Sequence, residues 1–329
     1  MDTSRNNRFA VLDLGSNSFH LDIAKVNRKR VKKIHKQKEM VYLGRGLDSH
    51  GMIQNETLNR AFAALERICG HLKHLSRNNT MVVGTSILRQ AKNSDYFLRT
   101  AENLIGHPIR VISGEEEADF IFTGVNQFYK KAKQSKLIID IGGGSTEIIR
   151  GDGARVLDKE SVKLGCGPIT EKYFSTGQIT RKAWTAALHE IAEIIGPYRR
   201  RFSRSAHEQV IGTSGTMKGI YRGLKSLKLS RKKSFKTSQL AELQTYLFNA
   251  GHTKNISLKK VKKRRKPVYP AGLAIFTGIS KALRIKKVDI SKAAVRKGIL
   301  YSLFQRAEQR RLSHSRSRAD FPAYVPDFA

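Results

Sequence analysis

The sequence predicts an α/β protein made of two similarly built halves, and three observations lead there. A hydrophobic strand that delivers an aspartate into a Gly/Ser-rich turn, followed by a second strand, occurs at residues 9–24 (Phe-Ala-Val-Leu-Asp-Leu-Gly-Ser-Asn-Ser-Phe-His-Leu-Asp-Ile-Ala) and again at 137–149 (Leu-Ile-Ile-Asp-Ile-Gly-Gly-Gly-Ser-Thr-Glu-Ile-Ile). Strand, Thr/Ser turn and helix recur after residues 81–84 and 109–112, so the chain is not all-α. With 329 residues it is long enough for two domains with separate cores. We divide it into an N-terminal α/β domain at 1–130, a second α/β domain at 131–311, and a basic flexible tail at 312–329.

After the first hairpin, residues 31–42 read as a strand edged with Lys32, Lys33, Lys36 and Lys38, and 44–47 as a turn. Thr57 opens a helix whose Leu58, Ala61, Phe62, Leu65, Ile68, Leu72 and Leu75 fall at helical spacing. His71 and His74 are i, i+3 on it but lack a nearby cysteine or acidic cluster, and read as solvated or capping residues. Residues 81–84 form a strand, and Thr85 begins a loop into a helix carrying Arg89. Residues 109–112 are the next strand; Ser113 as N-cap and Glu116 at N3 make a capping box that opens a helix ending near Phe128.

The second half starts near Lys136. Residues 156–162 supply a strand, Gly165-Cys166-Gly167-Pro168 a turn, and 184–198 a long amphipathic helix. Gln209-Val210-Ile211 then runs through Gly212-Thr213-Ser214-Gly215-Thr216 into another helix. Residues 237–250 and 270–283 are helical, 288–291 form a short strand, and 294–311 a closing helix. Between them, residues 259–266 hold seven basic side chains in eight.

The chemistry sits at the hairpin tips. Glycines let the N–H groups of Gly142, Gly143 and Gly144 crowd onto an anion, and Ser145 and Thr146 add hydroxyl donors. The Gly15, Ser16, Asn17, Ser18 turn repeats the device. Gly212, Thr213, Ser214 and Gly215 offer a third phosphate contact at a helix N-terminus. Asp140 and Glu147 are oxygens suited to Mg²⁺, with Asp13 beside them.

Composition narrows the partners. Lys+Arg of 62 against Asp+Glu of 27 gives a net charge of +35, a field that attracts any polyanion, nucleic acid included. No run of about 18 apolar residues occurs, and the N-terminus does not resemble a secretory signal, so we expect a cytoplasmic protein without a membrane span. Cys69 and Cys166 stand outside any CxxC pair; Cys69 reads as a small core residue of a helix, and Cys166 lies beside a Gly-Pro turn with no sign of activation.

Residues 13–18 and 140–147 resemble the two phosphate loops of the exopolyphosphatase and guanosine pentaphosphate phosphatase family. Residues 84–91, 112–118, 212–216 and 270–275 match further family blocks in order, so the resemblance spans roughly 8–305. It implies a two-domain fold of the actin, Hsp70 and sugar kinase superfamily (ribonuclease H-like), with the active site in the interdomain cleft. It further implies release of orthophosphate from the end of inorganic polyphosphate, conversion of guanosine pentaphosphate to tetraphosphate, dependence on Mg²⁺ or Mn²⁺, and a homodimer. Spacing alone does not separate Glu115 from Glu117 as the base; the resemblance points to Glu117, and to Arg89 as a clamp near the terminal phosphate. The chain departs from the family in two ways. Members usually mix acids into the 259–266 block, and longer members continue past 312 into a helical region.

Two other readings compete. An ATP-dependent kinase or ATPase shares the fold, but the glutamate-rich block from Ser113 favours hydrolysis. A non-catalytic polyanion or RNA binder would fit the charge but has no use for Asp140, Glu147 and Glu117 inside its anion site.

Overall fold

A computed structural model describes residues 8–28, 30–203 and 208–319. The first half runs β1 (Arg8–Leu14), β2 (Ser18–Val26), β3 (Val31–Met40), α1 (Asn55–Cys69), β4 (Thr80–Gly84), α2 (Ser86–Gln90), α3 (Ser94–Ile105), β5 (Ile109–Val111) and α4 (Gly114–Phe128). The second runs β6 (Ser135–Ile141), β7 (Thr146–Asp152), β8 (Arg155–Val162), α5 (Cys166–Phe174), α6 (Arg181–Ile195), α7 (Arg199–Phe202), β9 (Gln209–Gly212), α8 (Ser214–Ser226), β10 (Ser234–Lys236), α9 (Leu240–Ala250), α10 (Tyr269–Ala282), β11 (Lys287–Ile290) and α11 (Val295–Ala319).

The sheets order as β3-β2-β1-β4-β5 and β10-β11-β9-β6-β7-β8. In each, an antiparallel meander joins two parallel strands through its first strand. The halves are therefore one design used twice. Hairpin register agrees: Asp13 faces His20 across β1 and β2, and Asp140 faces Glu147 across β6 and β7. Thr85 and Thr213, which cap α2 and α8, share φ −119° and ψ −155°.

Alternation along the strands decides which residues reach the site. Leu12 and Leu14 of β1 join a core with α1 and α3, so Asp13 projects to the opposite face with Phe9 and Val11. Likewise Ile139 and Ile141 of β6 join the large core of the second half, and Asp140 projects with Ile138. Those opposite faces are covered by exchanged helices. Ile299, Leu300 and Leu303 of α11 pack on the first sheet, and Ala118, Ile121, Phe122 and Val125 of α4 pack on the second. The division at 130/131 thus separates the two sheets but not these two helices.

Further corrections are local. The tail assigned to 312–329 begins inside α11, which stays helical to Ala319; residues 1–7 and 320–329 lie outside the described residues. The expected turn at 165–168 is the start of α5, since Pro168 is tolerated in a helix's first turn. Arg89 lies on α2, and α3 follows after a break where the Asn93 side chain bonds both backbone groups of Ile53. His71 and His74 lie beyond the end of α1, and His71 stacks on His35 at 4.0 Å.

The exchanged helices cross at glycines. A Cβ on Gly298 would collide with the Phe120 carbonyl, and one on Gly124 would stand 2.6 Å from the Ala294 carbonyl. In an open helix, Gly→Ala stabilises by about 1 kcal/mol; here Gly298→Ala is expected to destabilise by about 1–3 kcal/mol through overpacking. A urea unfolding curve gives the sign, and stabilisation would disprove so close a crossing.

Candidate active site

Both hairpin tips open into one cleft between the halves, about 320 Å³ in volume. Their backbones are polarised the same way. The Ser16 and Asn17 carbonyls accept from Gly44 N (2.9 Å), Val41 N (3.3 Å) and Tyr42 N (3.1 Å), all behind the loop. The Gly142 and Gly143 carbonyls accept from Cys166 N (3.2 Å) and Gly167 N (2.7 Å) at the start of α5. With carbonyls drawn back, the N–H groups of Ser16, Asn17, Gly143 and Gly144 have no acceptor among the described residues and are free for an anion. Gly142 is an exception to the expected set, because its N–H donates to Ser145 O at 2.8 Å. Close approach explains the glycines: a Cβ on Gly143 would stand 2.7 Å from Asn17 Nδ2, and one on Gly144 2.6 Å from Ser86 Oγ.

The carboxylates of the two halves meet different fates. Asp13 is buried, but Arg296 in the first turn of α11 donates to it at 2.8 Å and to Asp22 at 2.9 Å. Asp13 is thus anchored by an ion pair, although burial still pushes its carboxyl above the ordinary aspartate range. On the other side the first turn of α4 presents Glu117. Burial, then the charge of Glu147, push Glu117 well up from the ordinary glutamate range, against a pull from Arg89. Burial and Glu147 push Asp140 up to about 7, opposed by Lys218. Glu147 is also raised by burial, while Ser145 and Ser161 donate to it at 2.8 and 3.0 Å. Carboxylates that raise one another are short of positive charge. Among the described residues no three His, Cys, Asp or Glu side chains are grouped to hold an ion unaided. One or two carboxylates completed by water and phosphate oxygens suit Mg²⁺, and Asp140 on the cleft wall fits that part.

The Ppx/GppA phosphatase family model matches residues 22–307. The chain belongs to this family. Among curated relatives, the "guanosine-5'-triphosphate,3'-diphosphate pyrophosphatase" of Pseudoalteromonas atlantica is 34% identical over 302 residues, 92% of this chain and 59% of that protein. Its namesake in Vibrio parahaemolyticus is 32% identical over 92% of this chain and 60% of its own length. The chain spans about 60% of the length of the curated relatives it matches. Solved structures agree on the fold. An exopolyphosphatase from Cytophaga hutchinsonii superposes with TM-score 0.79 at 22% identity, covering 91% of this chain and 98% of that one. The Aquifex aeolicus Ppx/GppA protein gives 0.74 at 22% identity, with 91% and 98% covered. A nucleoside triphosphate hydrolase from Neospora caninum gives 0.55 at 12% identity over 92% and 93%.

Of the expected site residues in this Ppx/GppA chain, Gly15, Ser16, Asn17, Ser18, Gly142, Gly143, Gly144, Ser145, Ser214, Gly215, Glu117, Asp13 and Asp140 line the cleft. Others serve it from behind. Arg89 donates to Ile112 O at 2.6 Å and reaches Glu117 at 3.4 Å, so it holds that glutamate in place. The Thr146 and Thr213 hydroxyls are fully buried and donate to Leu164 O (2.5 Å) and Ala293 O (2.6 Å), which corrects their assignment as phosphate donors. Gly212 ends β9 behind the wall, and Glu147 lies under Ser145.

Sequence reasoning missed most of the cations. Lys36 and Lys38 of β3, Lys218 and Arg222 of α8, and Arg296 line the cleft with Lys262, Arg264 and Arg265 of the basic segment. Their crowding shows in their ionisation. Burial, then Arg264 and Arg265, hold Lys38 down to about 7, and burial holds Lys218 at about 8 despite Asp140. The i, i+4 spacing of Lys218 and Arg222 was readable, but only the fold says that this face of α8 meets β3 across the cleft.

Asp140 keeps its proton to about pH 7, against 3.8 in an unfolded chain. The native state therefore binds more protons across that window, and this group's contribution to stability is lost as pH rises through it. Metal-free wild type is expected to lose stability relative to Asp140→Asn between about pH 4 and 7. Parallel stability curves in chemical denaturation would remove the raised carboxyl from the account.

Proposed function

We propose that this protein hydrolyses terminal phosphoanhydride bonds of inorganic polyphosphate, releasing orthophosphate, and removes the terminal phosphate of guanosine pentaphosphate. One observation carries the reading: the carboxylates of Glu117 and Asp140, backed by buried Glu147, and a wall of cations meet in the same cleft, at two phosphate-type loops. A binder of polyanions alone would gain nothing from those acids. The curated relatives named as guanosine-5'-triphosphate,3'-diphosphate pyrophosphatases support it.

In this reading the free N–H groups of Ser16, Asn17, Gly143 and Gly144 take the phosphate oxygens and align the terminal group. Glu117, held by Arg89, accepts a proton from the attacking water as the water oxygen bonds to phosphorus and the bridging P–O bond breaks. A raised pKa suits that task, because a base poised near the working pH is both available and strong. Charge gathering on the departing chain falls toward Lys218 and Arg265. We propose Mg²⁺, with Mn²⁺ as a substitute, held by Asp140 and through water by Glu147, where it would supply charge neutralisation on the phosphate oxygens. Two free cysteines, one buried, fit the reducing cytoplasm in which we place the protein.

Glu117→Gln keeps the shape but cannot take the proton; turnover is expected to fall by about 10² to 10⁴ while tripolyphosphate binding is retained. Phosphate release from polyphosphate, guanosine pentaphosphate and ATP, measured side by side, checks this. Normal turnover by the variant, with Glu115→Gln inactive, would move the base to Glu115, although Glu115 is solvent-exposed beside Lys159. Replacing Lys262, Arg264 and Arg265 by Gln is expected to weaken long polyphosphate far more than tripolyphosphate. The difference should shrink at about 1 M salt, where the Debye length is about 3 Å. Equal losses on both substrates would deny these residues a role along the chain, and lost RNA retention with unchanged polyphosphate kinetics would assign them to nucleic acid.

A further inference from the structure

The two hairpins, so alike in backbone, differ at one hydrogen bond. Each loop ends in a serine, Ser18 or Ser145, and each serine is bonded to the side chain two residues on, which faces the aspartate of the preceding strand. In the second half that partner is Glu147, whose carboxylate accepts from Ser145 Oγ at 2.8 Å. In the first half it is His20, whose Nε2 lies 3.0 Å from Ser18 Oγ.

Which atom donates in the Ser18–His20 pair follows from the surroundings. His20 faces Asp13 on β1, Lys36 and Lys38 on β3, Arg296 on α11 and Arg264 of the basic segment, with Asp22 farther along its own strand. Burial, followed by these cations, pushes its ionisation far down, so the ring is neutral and carries one proton. Nδ1 is buried and has no hydrogen-bond partner among the described residues, Asp13 included. An orphaned buried N–H is the rarer and costlier arrangement, and a bare lone pair is also the form favoured by neighbouring cations. The proton therefore sits on Nε2 and is donated to Ser18 Oγ, which leaves the Ser18 hydroxyl hydrogen unspent.

We infer that His20 is a positioning residue that fixes the Ser18 hydroxyl as a donor to a substrate phosphate, while Glu147 fixes Ser145 the other way, its proton spent and its lone pairs left to the cleft. One serine thus serves an anion, and its counterpart is oriented to serve a water or cation. The inference rests on the reading of residues 15–18 as a phosphate loop.

A double-mutant cycle tests both layers. Binding of tripolyphosphate by Ser18→Ala, His20→Ala, the double variant and His20→Gln is measured calorimetrically without divalent metal, together with kcat and KM on polyphosphate. Loss of one hydrogen bond to a charged group predicts about tenfold weaker binding for Ser18→Ala. His20→Ala should lose a similar factor, seen in KM more than in kcat, and the double variant should be no worse than either single one. His20→Gln, which keeps an N–H near the Nε2 position, should recover most of the loss. Losses that multiply in the double variant, or full affinity in His20→Ala while Ser18→Ala is weak, would overturn the positioning role alone. Full affinity in Ser18→Ala would overturn the phosphate-loop reading itself.

Discussion

The crossing of α4 and α11 is the contact on which the rest of the structure depends. Gly124 and Gly298 let the two helices approach until backbone meets backbone, and each helix then covers the sheet of the opposite half. Without that exchange the inner faces of both sheets, with Asp13 and Asp140 on them, would lie open to water. With it, the first turn of each helix is carried to the aspartate-bearing hairpin of the other half, and the cleft forms where the two turns meet.

Those two first turns break the symmetry of a duplicated design. α11 brings Arg296, which pairs with Asp13 and Asp22, although burial still holds Asp13 above the ordinary aspartate range. α4 brings Glu117, which adds a negative charge to Asp140 and Glu147. One half has an arginine paired with its aspartates, and the other is left wanting a cation and able to take a proton. Desolvation magnifies both outcomes, because charges removed from water interact more strongly with whatever remains beside them. The Ser18–His20 and Ser145–Glu147 pairs repeat the same asymmetry at the scale of a single hydrogen bond.

The cationic wall answers the carboxylates across a few side-chain lengths. Its members come from β3, α8, α11 and the segment before α10, four places far apart in the chain. Burial first, and the neighbouring cations after it, lower Lys38 and Lys218, and a bound polyanion would relieve the second of these costs. The net charge of +35 therefore has a local expression at the cleft and is not only a property of the outer surface.

The sequence by itself determined the α/β class, the two strand–Asp–Gly turns, the Ser113 capping box and the loops of the site, because each is a local pattern: period-two alternation, a glycine run, a cap three residues from its partner. It determined less about α5, whose proline mimics a turn, and about where Arg89 points. Only the tertiary structure decided that Thr146 and Thr213 spend their hydroxyls on the backbone, that Arg296 closes on Asp13 from far along the chain, and that Lys38, Lys218 and Arg265 share a wall. The physical reason is range. Backbone geometry and capping are settled within a few residues, whereas burial, ion pairing and the resulting shifts in ionisation depend on which surfaces the exchanged helices bring together.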